Sequence, residues 1–320
     1  MRVLIVGASG NLGTRFADGL LAAGHRVRMT FHRTALAPHL SGHPLAQPFQ
    51  LDLEDFDQVA RAVADMDAIL FCAGRLFVGN PGRVLPRTNR EWPGRVVQAA
   101  LSANLRCTFV LMSFPHIEEG TTPDNPATGR QDVEPVSIHA LTRLQAELDL
   151  GEATRGSSVR PIILRAGVVY GSGVKLIEAA HRLMRWRLLA TWRAPTWVHL
   201  IHITDLVATV IASIESRTCR GIYQVCDQRP VILQEFLDRL AMTWGLPRPI
   251  RLPAWCFWTA AWACEFVGRT VANTVPLNVD IMRMAMTSAV ADTQRFRTEL
   301  LPDLTYPTLD DGLKTMASGE

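Results

Sequence analysis

Lysine and tyrosine are the scarce residues of this sequence. Lys175 and Lys314 are the only lysines in 320 residues, and Tyr170, Tyr223 and Tyr306 the only tyrosines. Nearly all the positive charge is therefore arginine. No tyrosine is followed by lysine four residues on, which excludes chemistry that needs that pair on one helix face. Six cysteines occur (Cys72, Cys107, Cys219, Cys226, Cys256, Cys264) but no C-x-x-C pair, so the thiols read as reduced, structural small hydrophobes. Neither charge sign dominates: 33 basic and 30 acidic residues mixed along the chain leave +3, and no electrostatic reason to expect nucleic acid. Long apolar runs are missing as well. The most apolar stretch, Leu252 to Val267, is broken by Glu265 and falls short of the ~20 residues of a membrane-spanning helix, so any membrane contact would be peripheral. No charged leader or apolar signal core precedes Arg2 to Val6, which points to the cytoplasm.

What remains is globular in character, 48% hydrophobic and 20% charged, with no repeat and no low-complexity tract. At this length one large domain with an appended lobe, or two domains, is expected. Arg2 to Val6 is a short apolar run ending at Gly7, and Asn11 to Ala23 then places Leu12, Phe16, Leu20 and Leu21 at helical spacing. Strands follow at Arg26 to Phe31, Ala68 to Cys72, Thr108 to Met112 and Pro161 to Leu164, and helices at Phe56 to Ala64, Trp92 to Ala103 and His139 to Leu150. This alternation predicts an α/β fold, a Rossmann-type doubly wound parallel sheet with helices on both faces. Beyond Tyr170 the pattern loosens. Helices are expected at Val174 to Leu189, Thr204 to Glu215, Gln234 to Trp244 and Trp255 to Val267, with strands at Trp197 to Ile201 and Ile222 to Val225. A smaller, mostly helical C-terminal lobe results, and Glu118 to Pro135, rich in Thr, Pro, Gly, Asp and Asn, reads as a long loop.

The turn after the first strand is Gly7-Ala8-Ser9-Gly10-Asn11-Leu12-Gly13, three glycines at spacing three. Glycine permits the tight turn and the close approach of backbone to a pyrophosphate, whose charge suits the free N–H groups at a helix start. A tight turn of some other α/β fold is the plain alternative; the N-terminal placement favours a dinucleotide. At the end of the second strand, Thr30-Phe31-His32-Arg33 offers none of the carboxylates that would bind a ribose 2′-hydroxyl. Arg33, with His32 and Arg15, could instead pair with a 2′-phosphate. NADP is therefore preferred over NAD, against the reading of plain solvated arginines.

With Asp52-Leu53 after the next strand and Ala73-Gly74 after the one beyond, the chain resembles an extended short-chain dehydrogenase/reductase of the NAD-dependent epimerase/dehydratase group, nearly end to end. The resemblance implies that Asp52 and Leu53 lie near the adenine, and Ala73 and Gly74 along the middle of the cofactor. Leu164-Arg165-Ala166-Gly167-Val168-Val169-Tyr170-Gly171 is similar to the family's Arg-Pro-x-x-Val-Tyr-Gly segment, with Ala166 in place of proline. Val198 to Leu206 resembles the later strand and helix start, where Thr204 or Asp205 would cap the helix. His199 and His202 alternate on that strand without a Cys or Glu cluster, so no metal is expected. Residues 1–170 would form the NAD(P)-binding domain, completed by about 197–226, with 171–196 and 227–320 as the substrate lobe. A homodimer formed through two helices per subunit is a further implication of the resemblance.

The family's chemistry uses a Ser or Thr after the fourth strand and a Tyr-x-x-x-Lys pair on the next helix. Ser113 matches the first, whereas the helix reads His139-Ala140-Leu141-Thr142-Arg143, with His139 and Arg143 where tyrosine and lysine belong. An imidazole can exchange a proton near neutral pH and a guanidinium can hold a ribose without titrating, so Ser113, His139 and Arg143 form a modified catalytic set. Glu147 would pair with Arg143 on the helix surface, and His116 offers a second imidazole nearby. Trp255, Trp258 and Trp262 share a helix face that reads first as core, then as a seat for an apolar substrate or a membrane. Arg182, Arg185, Arg187 and Arg193 could bind a phosphate or carboxylate, or simply be solvated. The expectation is an NAD(P)-dependent oxidoreductase, epimerase or dehydratase acting on a small or apolar carbonyl or alcohol. The alternative is a non-catalytic NAD(P)-binding regulator or a structural subunit of an assembly.

Overall fold

A computed structural model describes residues 1–270 and 274–317. Its strands are β1 (Arg2–Val6), β2 (Arg26–Phe31), β3 (Ala46–Gln50), β4 (Ala68–Phe71), β5 (Thr108–Ser113), β6 (Arg160–Ala166), β7 (Val168–Tyr170), β8 (Ala190–Trp192), β9 (Trp197–Val198), β10 (Leu200–His202), β11 (Gly221–Val225), β12 (Val231–Ile232) and β13 (Ile250–Leu252). The helices are α1 (Asn11–Ala22), α2 (Pro38–Ser41), α3 (Phe56–Val63), α4 (Pro81–Leu85), α5 (Trp92–Ser102), α6 (Ile138–Ala153), α7 (Lys175–Arg185), α8 (Ile203–Glu215), α9 (Leu233–Thr243), α10 (Ala254–Thr270), α11 (Val279–Met286), α12 (Gln294–Glu299) and α13 (Leu309–Leu313).

Seven strands form one sheet in the order β11-β6-β5-β4-β1-β2-β3, and every pair in it is parallel. The expected doubly wound fold is what the chain adopts. Its central strands β1, β4, β5 and β6 are buried on both faces, which is why they read as nearly continuous apolar runs, whereas β3 at the edge is mostly exposed. One face packs Phe16, Leu20, Leu206 and Val210 of α1 and α8. The other packs Val59, Val63, Val96, Ala100, Ala146 and Leu150 of α3, α5 and α6. The strand order reverses between β1 and β4, so a crevice opens beyond their carboxyl ends, where Gly7 follows one and Ala73-Gly74 follow the other.

The C-terminal lobe carries helices α7 and α9 to α13, together with short two-stranded pairs, β7 with β10, β8 with β13 and β9 with β12. The strand expected over Trp197 to Ile201 is two strands, one antiparallel to β12 and one parallel to β7, broken at His199. The helix expected to reach Leu189 stops at Arg185, because Arg187 adopts a left-handed turn (φ 58°) that sends the chain into β8. Residues 118–137 form a loop, as expected, with two isolated bridges, Thr122 to Asn125 within it and Ala127 to Ala291. Two carboxylates hold it: Glu118 accepts from the Thr128 and Gly129 amides, Glu119 from those of Val136 and Ser137. The tryptophan stripe is corrected. Phe257, Trp258 and Ala261 face Trp192 and Met282, whereas Trp255 and Trp262 lie outward, because the buried arc of α10 falls to one side of the residues spaced by seven.

Candidate functional site

The glycine turn brings the ends of β1 and β4 together. Gly7 has φ 103°, and a Cβ there would sit 2.7 Å from the Ala73 amide nitrogen, so only glycine fits. A Cβ on Gly13 would run into the Gly7 carbonyl, which is how closely α1 approaches the turn. Gly10 precedes α1 without any side-chain cap, leaving the first amides of the helix, beside Ser9, Asn11 and Leu12, open toward the crevice. Thr30 Oγ1 accepts from the Gly7 amide at 3.1 Å and fixes the turn from β2. The side chain of Asn11 faces the lobe: its Nδ2 donates to the Gly173 carbonyl (2.7 Å) and its Oδ1 accepts from the Lys175 amide (2.9 Å).

At the end of β2, His32 and Arg33 are exposed, and among the described residues the Arg33 side chain has no bonded partner. His32 Nε2 lies 4.0 Å from Asp52 Oδ2. Asp52 Oδ1 accepts from the Glu54 amide, and the Leu53 carbonyl accepts from Arg95. The end of β2 thus holds two basic groups and one acid.

Across the crevice, Arg143 reaches from α6 toward Gly74, and a Cβ on Gly74 would lie 2.7 Å from Arg143 Nη2. Its Nη1 is buried without a hydrogen-bond partner. Burial pulls the guanidinium pKa down to about 10, against the opposing charge of Glu147 and the neighbouring Cys72. A buried guanidinium with one nitrogen against a glycine and the other without a partner is a place where a polar ligand would be accommodated. Asn89 Nδ2 donates to Thr142 Oγ1 beside it (3.0 Å), bracing α6 against the helix run that precedes α5.

One turn earlier on α6, His139 is buried. Its Nδ1 lies 2.7 Å from Asp280 Oδ2, and its Nε2 3.4 Å from the Arg75 carbonyl oxygen. Asp280, on α11, also accepts from the Ile138 and His139 amides at 2.5 and 3.1 Å. Burial works to raise the Asp280 pKa, but the imidazole and the two amides outweigh it and hold the carboxyl below its ordinary range. Ser113, at the end of β5, donates its hydroxyl to Glu147 Oε1 at 2.6 Å. Glu147 is fully buried rather than a surface partner of Arg143. Arg165 bonds both its oxygens, with Nη2 to Oε2 at 2.7 Å, and also bonds Glu118 Oε1 at 2.7 Å and the Arg130 carbonyl. His116 follows on a turn after β5, and burial pushes its pKa down to about 4, so it is neutral near pH 7.

The NAD dependent epimerase/dehydratase family model matches residues 3–226. The chain belongs to that family. A 3-diazoavenalumate denitrifying reductase from Streptomyces is 26% identical over 98% of this chain and 99% of its own length. Among solved structures, MoeE5 in complex with UDP-glucose and NAD matches with a TM-score of 0.75 at 18% identity, over 99% of this chain and 97% of that one. The human epimerase family protein SDR39U1 with NADPH matches with a TM-score of 0.73 at 20% identity over the whole of both chains.

Within this epimerase/dehydratase frame several readings of the second half change. The α8 cap is His202, whose Nδ1 accepts from the Thr204 amide, and neither Thr204 nor Asp205 fills that place. Asp205 is buried and accepts from the Thr305 and Tyr306 amides (2.7 and 2.9 Å), tying the C-terminal segment to α8. His199 is a packing residue: Nε2 donates to the Asp227 carbonyl, Nδ1 accepts from the Ala291 amide, and burial drops its pKa to about 4. Among the described residues no group of three His, Cys, Asp or Glu side chains is placed to hold a metal. The residues that reading the chain missed are Thr30, Asn89, Glu118 and Asp280, and only Glu118, in an Glu-Glu pair at the head of a loop, carried any local signal.

Proposed function

We propose that this chain is a nicotinamide-dependent oxidoreductase that prefers NADP and acts on a small or apolar carbonyl or alcohol. The observation that carries the reading is the Arg143 guanidinium, whose Nη2 lies against Gly74 while its buried Nη1 has no hydrogen-bond partner. The curated relative with reductase activity and the NAD and NADPH complexes of the structural neighbours support it. The glycine turn would hold the pyrophosphate, Asp52 and Leu53 the adenine side, Ala73 and Gly74 the middle, Arg143 the ribose, and His32 with Arg33 a 2′-phosphate. When bound, the cofactor supplies hydride. Residues 1–170 with about 197–226 would serve it, and 171–196 with 227–320 would receive the substrate.

In this scheme His139 exchanges the proton at Nε2, while Asp280 holds the ring through Nδ1. Ser113, its hydrogen committed to Glu147, would accept a hydrogen bond from the substrate. A second reading, a non-catalytic NAD(P)-binding subunit, is favoured by the same contacts, since His139 and Ser113 are both already engaged. Titrating the purified protein with NADPH and NADH by tryptophan quenching, then assaying cofactor oxidation with a panel of carbonyl compounds, separates the two. The expected results are tighter NADPH binding, an Arg143→Met variant weakened about 10-fold or more, and turnover lost in His139→Phe. Binding without turnover would select the subunit reading, and no binding of either nucleotide would sink both.

A further inference from the structure

Seven of the eight tryptophans fall in two stretches that contain no Asp or Glu, residues 179–204 and 239–264. The same stretches hold Arg182, Arg185, Arg187, Arg193, Arg239, Arg248 and Arg251. The structure brings the two together. β8 and β13 pair in parallel with Ala190 beside Ile250, and the Ile250 amide donates to the Leu189 carbonyl at 3.0 Å. At the leading edge of this pair Trp186 is 71% exposed, Leu188 63% and Met242 65%, with Ile250 also exposed. Arg182, Arg185 and Arg187 are exposed around them and, among the described residues, make no ion pair, while Arg248 lies 3.7 Å from the Met242 sulfur. Five residues past Ile250, α10 begins to expose Trp255 and then Trp262, at 65% and 68%.

We infer that this edge of the second lobe docks the protein onto an anionic lipid surface. Tryptophan suits the headgroup layer because its body is apolar and its N–H is polar, and arginine supplies charge complementary to anionic lipids while its stem lies along apolar surface. Arg239 and Arg251 are paired with Glu235, Asp310 and Asp238, so the charge offered to phosphates is that of Arg182, Arg185, Arg187 and Arg248. No helix among the described residues is long and apolar enough to cross a membrane, so the association is in the surface plane. The arginines do not need to hold a soluble anion, since their guanidinium groups surround apolar side chains rather than a polar pocket. The inference stands apart from the cofactor reading, because none of these residues lines the crevice at Gly7 and Gly74.

The test is flotation of the full-length protein with vesicles of phosphatidylcholine alone and of phosphatidylcholine mixed with phosphatidylglycerol. Binding is expected to the mixed vesicles only, weakened by salt. Arg185→Gln with Arg187→Gln should lower partitioning roughly 30-fold, the effect of two arginines at an anionic surface. Trp186→Ala with Leu188→Ser should lower it at low and high salt alike, and both pairs should keep the parent melting temperature because the side chains are exposed. Absence of flotation, or flotation unchanged in both pairs, overturns the inference. A dimer in light scattering that Trp186→Ala dissociates would assign the edge to a second copy of the chain, and tighter binding to duplex DNA than to the mixed vesicles would assign it to a polyanion; either also overturns it.

Discussion

A single carboxyl group shows how much one residue can set. Asp227 is buried at the end of β11 with neither oxygen in hydrogen-bond geometry to a partner. Burial raises its pKa to about 7, against the opposing pull of the Tyr170 hydroxyl, which itself donates to the Thr308 carbonyl at 3.3 Å. Because the folded pKa lies above the unfolded value of about 3.9, the folded chain holds the proton more tightly. Its stabilising contribution is complete below pH ~4 and is lost as pH rises toward 7. Asp227→Asn should therefore match the parent near pH 3.5 and exceed it by about 4 kcal/mol at pH 8 in denaturant melts. Equal stability at both pH values would refute this. The sequence offers no sign of this proton, since an Asp after a strand reads as a turn residue. By contrast Gly7, Gly10 and Gly13 were legible because backbone geometry demands glycine at fixed spacing.

Helix α6 carries the candidate chemistry, and its start is capped twice. Ser137 accepts from the Ala140 amide within the helix's own sequence, while Asp280 arrives from α11 to take the Ile138 and His139 amides and the His139 ring. Ser137→Ala should cost about 1 kcal/mol. Asp280→Ala leaves three buried donors unmatched and should cost about 3 kcal/mol, read as a shift in the urea midpoint at constant slope. Equal costs would mean that solvent replaces the carboxylate. The first cap is readable from local sequence; the second joins residues 141 positions apart, and no pattern along the chain announces it. The same distance effect hid the role of Glu147, whose spacing of four from Arg143 suggested a surface pair while the fold delivered Arg165 to it from β6. Six of the seven sheet strands, set by local apolar runs, fell close to where the sequence put them, and the edge strand β3, with Gln47, Pro48 and Gln50 exposed, carries no such run. In the lobe α7, α9 and α10 also lie near their expected places, but the short strands were not legible, because two- and three-residue strands exist only through partners elsewhere, as at His199.

The molecule as a whole is not divisible where the family match ends. A chain cut after Cys226 would keep every strand of the main sheet, yet lose Asp280 from His139, the Thr305 and Tyr306 amides from Asp205, and the Ala291 amide from His199. Such a fragment should show helical circular dichroism without a cooperative melt, and a sharp two-state transition would contradict that. The bonds from Asn11 to Gly173 and Lys175 bear on the intact chain in another way. They fasten the first residues of the lobe to the helix that begins at the glycine turn, so seating of the lobe and occupancy of the turn are thermodynamically reciprocal. Whatever factor a docked lobe adds to the affinity of a ligand at the turn, the ligand returns to the docking of the lobe.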